Sequence, residues 1–405
     1  MHDLLILGAG AAGLQASRLA RRAGKRTLTL EARDRLGGRM WTARGGSEAF
    51  ALELGAEYVH GEAPVTQRLA RELGLSFVEV ADRHFRLRRG RWVDGGDYWE
   101  RLGRVFSRIP AGGDRSFLEH ARERLRGRAA LEAVSFVESF HGAPAGDISA
   151  LSLRQPPEEF ESSGRARRIL GGYGALVDKL AAGGGPVARR TVVERVRWRP
   201  GNVEVTARTP SGRKTFRARR LLVTLPVGVL KARAVLFEPE PRAAWRALDG
   251  IGMGDALRLT ARLRGPIATM PPVAFWHDEK GELPVWWSPG PEESPLVTAW
   301  CGGPRARRLL EGGLAGAKAL AEKSLLRLAR RRGARFHAHD WRRDPFARGA
   351  YSYHRVGALG AAEKLARPLA RTLIFAGEAC APRGEHATVE GALASAERAI
   401  TLALR

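Results

Sequence analysis

The stretch from Asp3 to Arg39 constrains this chain more than any other. Leu4, Leu5, Ile6 and Leu7 form a short continuous apolar run, the pattern of a parallel strand buried on both faces. Gly8, Gly10 and Gly13 follow in G-x-G-x-x-G spacing, and a helical pattern then runs to about Ala23, where Gly24 stops it. A second apolar strand, Thr27 to Leu30, ends on Glu31. Each part has a physical task in a unit that binds a dinucleotide. Gly8 permits the tight turn, Gly10 lets backbone approach a pyrophosphate beside Ala11 and Ala12, and Gly13 lets the helix close on the strand. The helix N-terminus offers unpaired N–H groups and partial positive charge to phosphates. Glu31 stands where an acidic side chain grips ribose hydroxyls. The reading is a Rossmann-type unit with a dinucleotide; a tight strand-to-helix turn without ligand is the plainer alternative.

The continuation Glu31-Ala32-Arg33-Asp34-Arg35-Leu36-Gly37-Gly38-Arg39 resembles the E-x-x-x-x-x-G-G-R segment of the flavin-containing amine oxidases. By that resemblance Gly37 and Gly38 bring backbone onto the cofactor, and Arg33 and Arg39 face its phosphates. Further segments agree in order. Leu52–Glu62 is similar to the stretch that passes the flavin ring, with Gly55 and Ala56 small for close approach and Glu57 and Tyr58 at the flavin. His60 and Glu62 then face the substrate, or His60 is a satisfied surface histidine. Val193 falls in a segment whose backbone contacts adenine in relatives, and Leu221–Leu230 returns to the cofactor sheet. Trp341–Tyr353 resembles the family's D-P-F-x-x-G-x-Y-S-Y pattern, which places Trp341 and Tyr351 near the substrate. Leu373–Glu378 is a strand ending at the cofactor with Gly377 and Glu378, and Thr388 and Val389 open a last helix aimed at the flavin pyrimidine ring.

The resemblance covers residues 3 to 400 and implies an α/β fold with two discontinuous domains. A split Rossmann-type FAD domain takes residues 1–75, 164–243 and 365–405; an α+β substrate domain takes 76–163 and 244–364. Within the latter, Tyr98–Phe140 reads as helical, Pro156 to Ser163 as a loop, Gly252–Asp255 as a turn and Ala256–Leu263 as a strand. The implied chemistry is removal of a hydride equivalent from the carbon next to an amine, with oxygen or another acceptor reoxidising non-covalent FAD. Apolar aromatic walls favour the reactive neutral amine by desolvation. Two departures from the family bear on that chemistry. Tyr351 matches one wall of its aromatic cage, but Thr388 occupies the other. Relatives carry a Lys that holds a water beside the flavin, and Arg258 aligns with that position, facing the flavin or turned outward into an ion pair; a register shifted by two would make Arg262, or no residue, the equivalent. An amino-acid oxidase is the neighbouring alternative; it calls for an Arg where the chain reads Gly55-Ala56-Glu57-Tyr58. A non-catalytic FAD-binding interaction module is the alternative of another class.

Composition separates few of these readings. The net charge of +25 permits attraction to nucleic acid or anionic membranes, but only 8 of the 68 basic residues are Lys and the Arg are scattered, so neither partner is predicted. Two cysteines make no disulfide framework, and there is no metal-ligand motif. No leader and no membrane span are expected, and a cytoplasmic location follows as an expectation.

Overall fold

The computed structural model describes residues 1–43, 51–156, 165–264, 267, 270, 274–288, 294–382 and 384–404; the loop expected from Pro157 to Ser163 lies outside these. Strand His2–Leu7 lies in an eight-stranded sheet. It pairs in parallel with Thr27–Leu30 on one side and with Ala218–Val223 on the other, so that Leu5 faces Leu28 and Leu221 across the ladder. Leu373–Phe375 adds a further parallel neighbour to Gly212–Val223. The apolar run is continuous because both faces are covered. Leu4 and Ile6 pack under helices Ala11–Arg22, Tyr173–Gly183 and Val389–Leu404. Leu5 and Leu7 pack with the antiparallel strands Val192–Arg199 and Asn202–Thr209 and with Trp245. Parallel strands covered by helices leave their C-terminal ends open to a ligand, and Gly8 and Glu31 lie at those ends.

A seven-stranded sheet runs in the order Arg335–His337, Ala256–Arg262, Leu296–Gly302, Val285–Trp287, Phe275–His277, His84–Arg88 and Arg91–Asp94. Its strands come from both stretches assigned to the substrate domain. Side chains alternate between faces. Leu257, Leu259, Ala261, Trp276, Trp286, Val297 and Ala299 form an apolar core with helices Gly303–Glu311 and Gly313–Ala329. The opposite face carries two cross-strand rows. One is Arg258, Trp300, Val285, His277 and Arg86; the other is Thr260, Thr298, Trp287, Phe275 and His84.

One local expectation needs correcting. Gly252 and Met253 are not in a turn: Ile251–Met253 is a strand paired antiparallel with Ser352–His354. A Cβ on Gly252 would sit 2.0 Å from the Tyr353 ring, so this glycine serves close cross-strand packing. The helical stretch after Tyr98 is three helices, Tyr98–Ser107, Phe117–Arg124 and Gly127–His141; Ser116 and Glu119 form a reciprocal capping box at the second.

Candidate active site

A cavity of about 1460 Å³ runs from the open ends of the parallel strands to the exposed-row face of the seven-stranded sheet. At its first end lie Gly8, Gly10, Ala11, Ala12, Glu31, Ala32, Arg33, Gly37, Gly38 and Arg39. Helix Ala11–Arg22 begins at Gly10 with no side-chain cap, which leaves its first N–H groups available to a ligand. Gly8 has φ +97°, and a Cβ on Gly13 would lie 1.9 Å from the Gly8 carbonyl oxygen, so neither accepts a side chain. Glu31 is buried; its two oxygens accept the N–H groups of Ala9 at 2.8 Å and Arg33 at 2.9 Å. The cationic side chains of this region are already paired. Arg33 donates to Asp344 at 2.7 Å, and Arg39 donates to Glu378 at 2.9 Å and to the Ala350 carbonyl at 2.8 Å. Val193, Gly377, Glu378 and Val389 line the same cavity.

Beyond the cradle the wall is formed by Gly55, Ala56, Glu57, Tyr58 and His60 from one side and Tyr351 from another. A Cβ on Gly55 would meet the Arg39 carbonyl oxygen at 1.9 Å, and the Trp341 ring packs against the same spot while its Nε1 donates to Leu54. Trp341 is thus buried behind the segment as well as bordering the cavity. Tyr351 donates its hydroxyl to the Phe140 carbonyl at 2.8 Å, and burial raises its pKa. Thr388 also borders the cavity, but its hydroxyl donates to Glu385 and accepts the Gly391 N–H at 2.9 Å; it caps the last helix. His60 lies edge-on to Tyr58 and Phe140, and Glu62 is exposed at the rim.

Arg258 points inward and is 7% exposed. It donates to Glu57 at 2.6 Å and to Thr260 at 3.2 Å, and its guanidinium stands 5.4 Å from the Trp287 ring centre. The Glu57 carboxylate also accepts from Trp287 Nε1 at 3.1 Å and lies 3.1 Å from Arg168 Nε. Two guanidinium groups therefore share one buried carboxylate. Arg258 is not turned outward: it is buried in an ion pair whose partner, Glu57, belongs to the Leu52–Glu62 segment. Nothing local in the sequence marks Arg168, and Trp287 is there only one of several aromatic-strand residues that could be pocket or core; strand register brings both to Glu57.

Nearby Glu53 is buried, accepting from the Tyr173 N–H at 2.7 Å and the Thr42 hydroxyl at 2.9 Å. Desolvation pushes its pKa up to about 7, against the pull of those hydrogen bonds and Arg258. The folded protein then holds a proton that the unfolded chain releases near 4.5, so this group withdraws stability as the pH rises from 4.5 to about 7. Glu53→Gln is expected to flatten the fall in thermal stability across that window. An unchanged slope in a Tm–pH series would count against the assignment.

The profile of the family described as flavin containing amine oxidoreductase matches residues 11–145 and 127–401. The chain belongs to that family. Among curated members, a lysine-specific histone demethylase 1 homolog 2 of Arabidopsis thaliana is 29% identical over 98% of this chain and 57% of its own length. Polyamine oxidase 1 of Oryza sativa subsp. japonica is 27% identical over 98% of this chain and 95% of its own. The chain spans little more than half the length of the demethylase relatives it matches. A redesigned putrescine oxidase superposes with a TM-score of 0.84 at 20% identity, covering 100% of this chain and 99% of the other. Cyclohexylamine oxidase from Brevibacterium oxydans IH-35A gives 0.82 at 18%, with the same coverage. The fold is thus the two-domain, FAD-binding fold of flavin amine oxidases.

FAD fits the cradle. The uncapped helix start, the side-chain-free approach at Gly8 and Gly10 and the buried Glu31 carboxylate suit an extended dinucleotide, and the small residues Gly55 and Ala56 leave room beside the second wall. No cysteine is among the described residues lining the cavity. Acid precipitation is therefore expected to release the yellow colour into the supernatant; flavin that stays with the pellet would contradict non-covalent binding.

Proposed function

We propose that this protein oxidises a small amine at the carbon next to nitrogen, with oxygen or another acceptor restoring the cofactor. The observation that carries this reading is the continuity of one cavity from the Glu31 cradle to a chamber walled by Tyr58, Phe275, Trp287 and Tyr351. Bound FAD supplies the two-electron acceptor. The chain's own aromatic walls exclude water and favour the neutral amine over the ammonium. Tyr351, held by the Phe140 carbonyl, and Tyr58, packed 6.0 Å from both Phe275 and Trp287, orient the substrate between them.

Arg258 and Arg168 are both engaged by Glu57, so neither is free to clamp a substrate carboxylate; this supports an amine over an amino acid. The test is anaerobic titration of the FAD-loaded protein with alkylamines, diamines and amino acids. Bleaching of the flavin band by amines, with peroxide release in air, is expected. A band unmoved by every amine, or bleached only by amino acids, would overturn the reading.

A further inference from the structure

The far end of the cavity carries a chain of hydrogen bonds that the amine reading does not use. His84 Nε2 lies 2.7 Å from Asp82 Oδ1, and His84 Nδ1 lies 2.8 Å from His277 Nε2. Trp99 Nε1 stands 2.8 Å from the same Asp82 oxygen and 3.2 Å from His84 Nε2, and the shorter, charged contact takes the indole proton. Tyr98 and Phe275 stack on His84 at 4.6 and 5.1 Å and hold its ring. His84 and His277 border the cavity.

The network fixes the protons by elimination. The Asp82 carboxylate only accepts, so His84 carries its hydrogen on Nε2. Neutral His84 then accepts at Nδ1, so His277 donates from Nε2 and its Nδ1 is left as an acceptor. The only side-chain hydrogen bond of His277 among the described residues is the one at Nε2. Burial, first of all, holds the pKa of His277 well below the ordinary histidine range, which keeps the acceptor available. Arg86 is itself neutralised by Glu132 and Glu279. The wall therefore presents a neutral acceptor, suited to an N–H donor.

Register sets its distance. Arg258, Trp300, Val285 and His277 lie on one cross-strand row, three strand spacings from end to end, or roughly 14 Å. We infer that His277, set by Asp82 and His84, forms a distal subsite for the second amino group of a long diamine or polyamine whose first amine is oxidised beside the Glu57–Tyr58 segment. This rests on the amine reading and narrows it: a four-carbon diamine is too short to engage both ends.

The test compares decylamine, diaminodecane, aminodecanoate and diaminobutane on the FAD-loaded protein, by steady-state KM and by calorimetric binding. Diaminodecane is expected to bind about tenfold better than decylamine, the worth of one charge-assisted hydrogen bond. The ratio should collapse toward one in His277→Phe and recover partly in His277→Gln. Asp82→Asn, at a half-exposed position, should lower it without a core change, because an amide can donate to His84 and reverse the chain. Diaminobutane should gain nothing from His277. A ratio near one in the wild type, a ratio that survives His277→Phe, or a preference for aminodecanoate overturns the inference while leaving amine oxidation standing. If no amine bleaches the flavin, the functional reading falls, and the calorimetric ratio still decides the subsite.

Discussion

Glu31→Ala protein is expected to emerge from dialysis with most of its FAD gone and a lowered Tm. The Glu31 side chain joins the two loops that form the cradle, accepting one N–H from Ala9 in the glycine turn and one from Arg33 beyond the second strand. It is 4% exposed, so the substitution leaves these groups without their partner where water replaces it poorly. A hydrogen bond to a charged group contributes about 1.5–3 kcal/mol, and 1.4 kcal/mol is about tenfold in affinity. Loss of one such bond to ribose lowers FAD affinity about ten- to a hundredfold, before any movement of the glycine turn is counted. Differential scanning with and without added FAD separates the two roles. If Glu31 only clamps the loops, apoprotein and holoprotein lose the same Tm. If it also holds the ribose, the gap between them narrows, because ligand stabilisation scales with occupancy. An unchanged flavin-to-protein ratio after dialysis would sink the prediction.

The cradle was legible because its parts are local. Leu4–Leu7, the three glycines, Gly24 and Glu31 are neighbours in sequence, and each has a single-residue reason to be where it is. The distal wall was not. Arg258, Trp287, His277 and His84 stand on four strands drawn from two separated stretches, and only cross-strand register lines them up. The aromatic-rich strands near Trp276, Trp286 and Trp287 do not announce which rings face inward. Alternation sends Trp276 and Trp286 to the apolar core and leaves Phe275 and Trp287 for the cavity. Thr388 illustrates a different gap. Read by family position it is a cage wall, yet a Thr just before a helical run is also a helix cap, and its hydroxyl is committed to that role. The Gly252–Met253 strand was missed because a glycine pair reads as a turn unless its partner strand, Ser352–His354, is known.

Glu57→Gln should be among the most destabilising single changes in the protein, at about 3–5 kcal/mol, because removing one partner of a buried ion pair strands the other. Here it strands two, Arg168 and Arg258, which are 7% exposed each and share the one carboxylate. The same cluster bears on oxygen. A Lys in place of Arg258 presents a compact, strongly hydrated charge, whereas the planar guanidinium fills its space and is tied to Glu57, Thr260 and the Trp287 face. Arg258→Lys keeps the charge opposite Glu57 and makes room for a water. Stopped-flow reoxidation of the reduced protein by oxygen is therefore expected to quicken several-fold, with anaerobic reduction by amine held within a few-fold. Arg258→Met should do neither; it removes one of two cations from a shared carboxylate, so its stability cost should fall well below that of Glu57→Gln. Equal losses in the two variants would mean that Arg168 is not an effective partner of Glu57. Identical reoxidation rates in wild type and Arg258→Lys would mean that the guanidinium does not control the path of oxygen to the flavin.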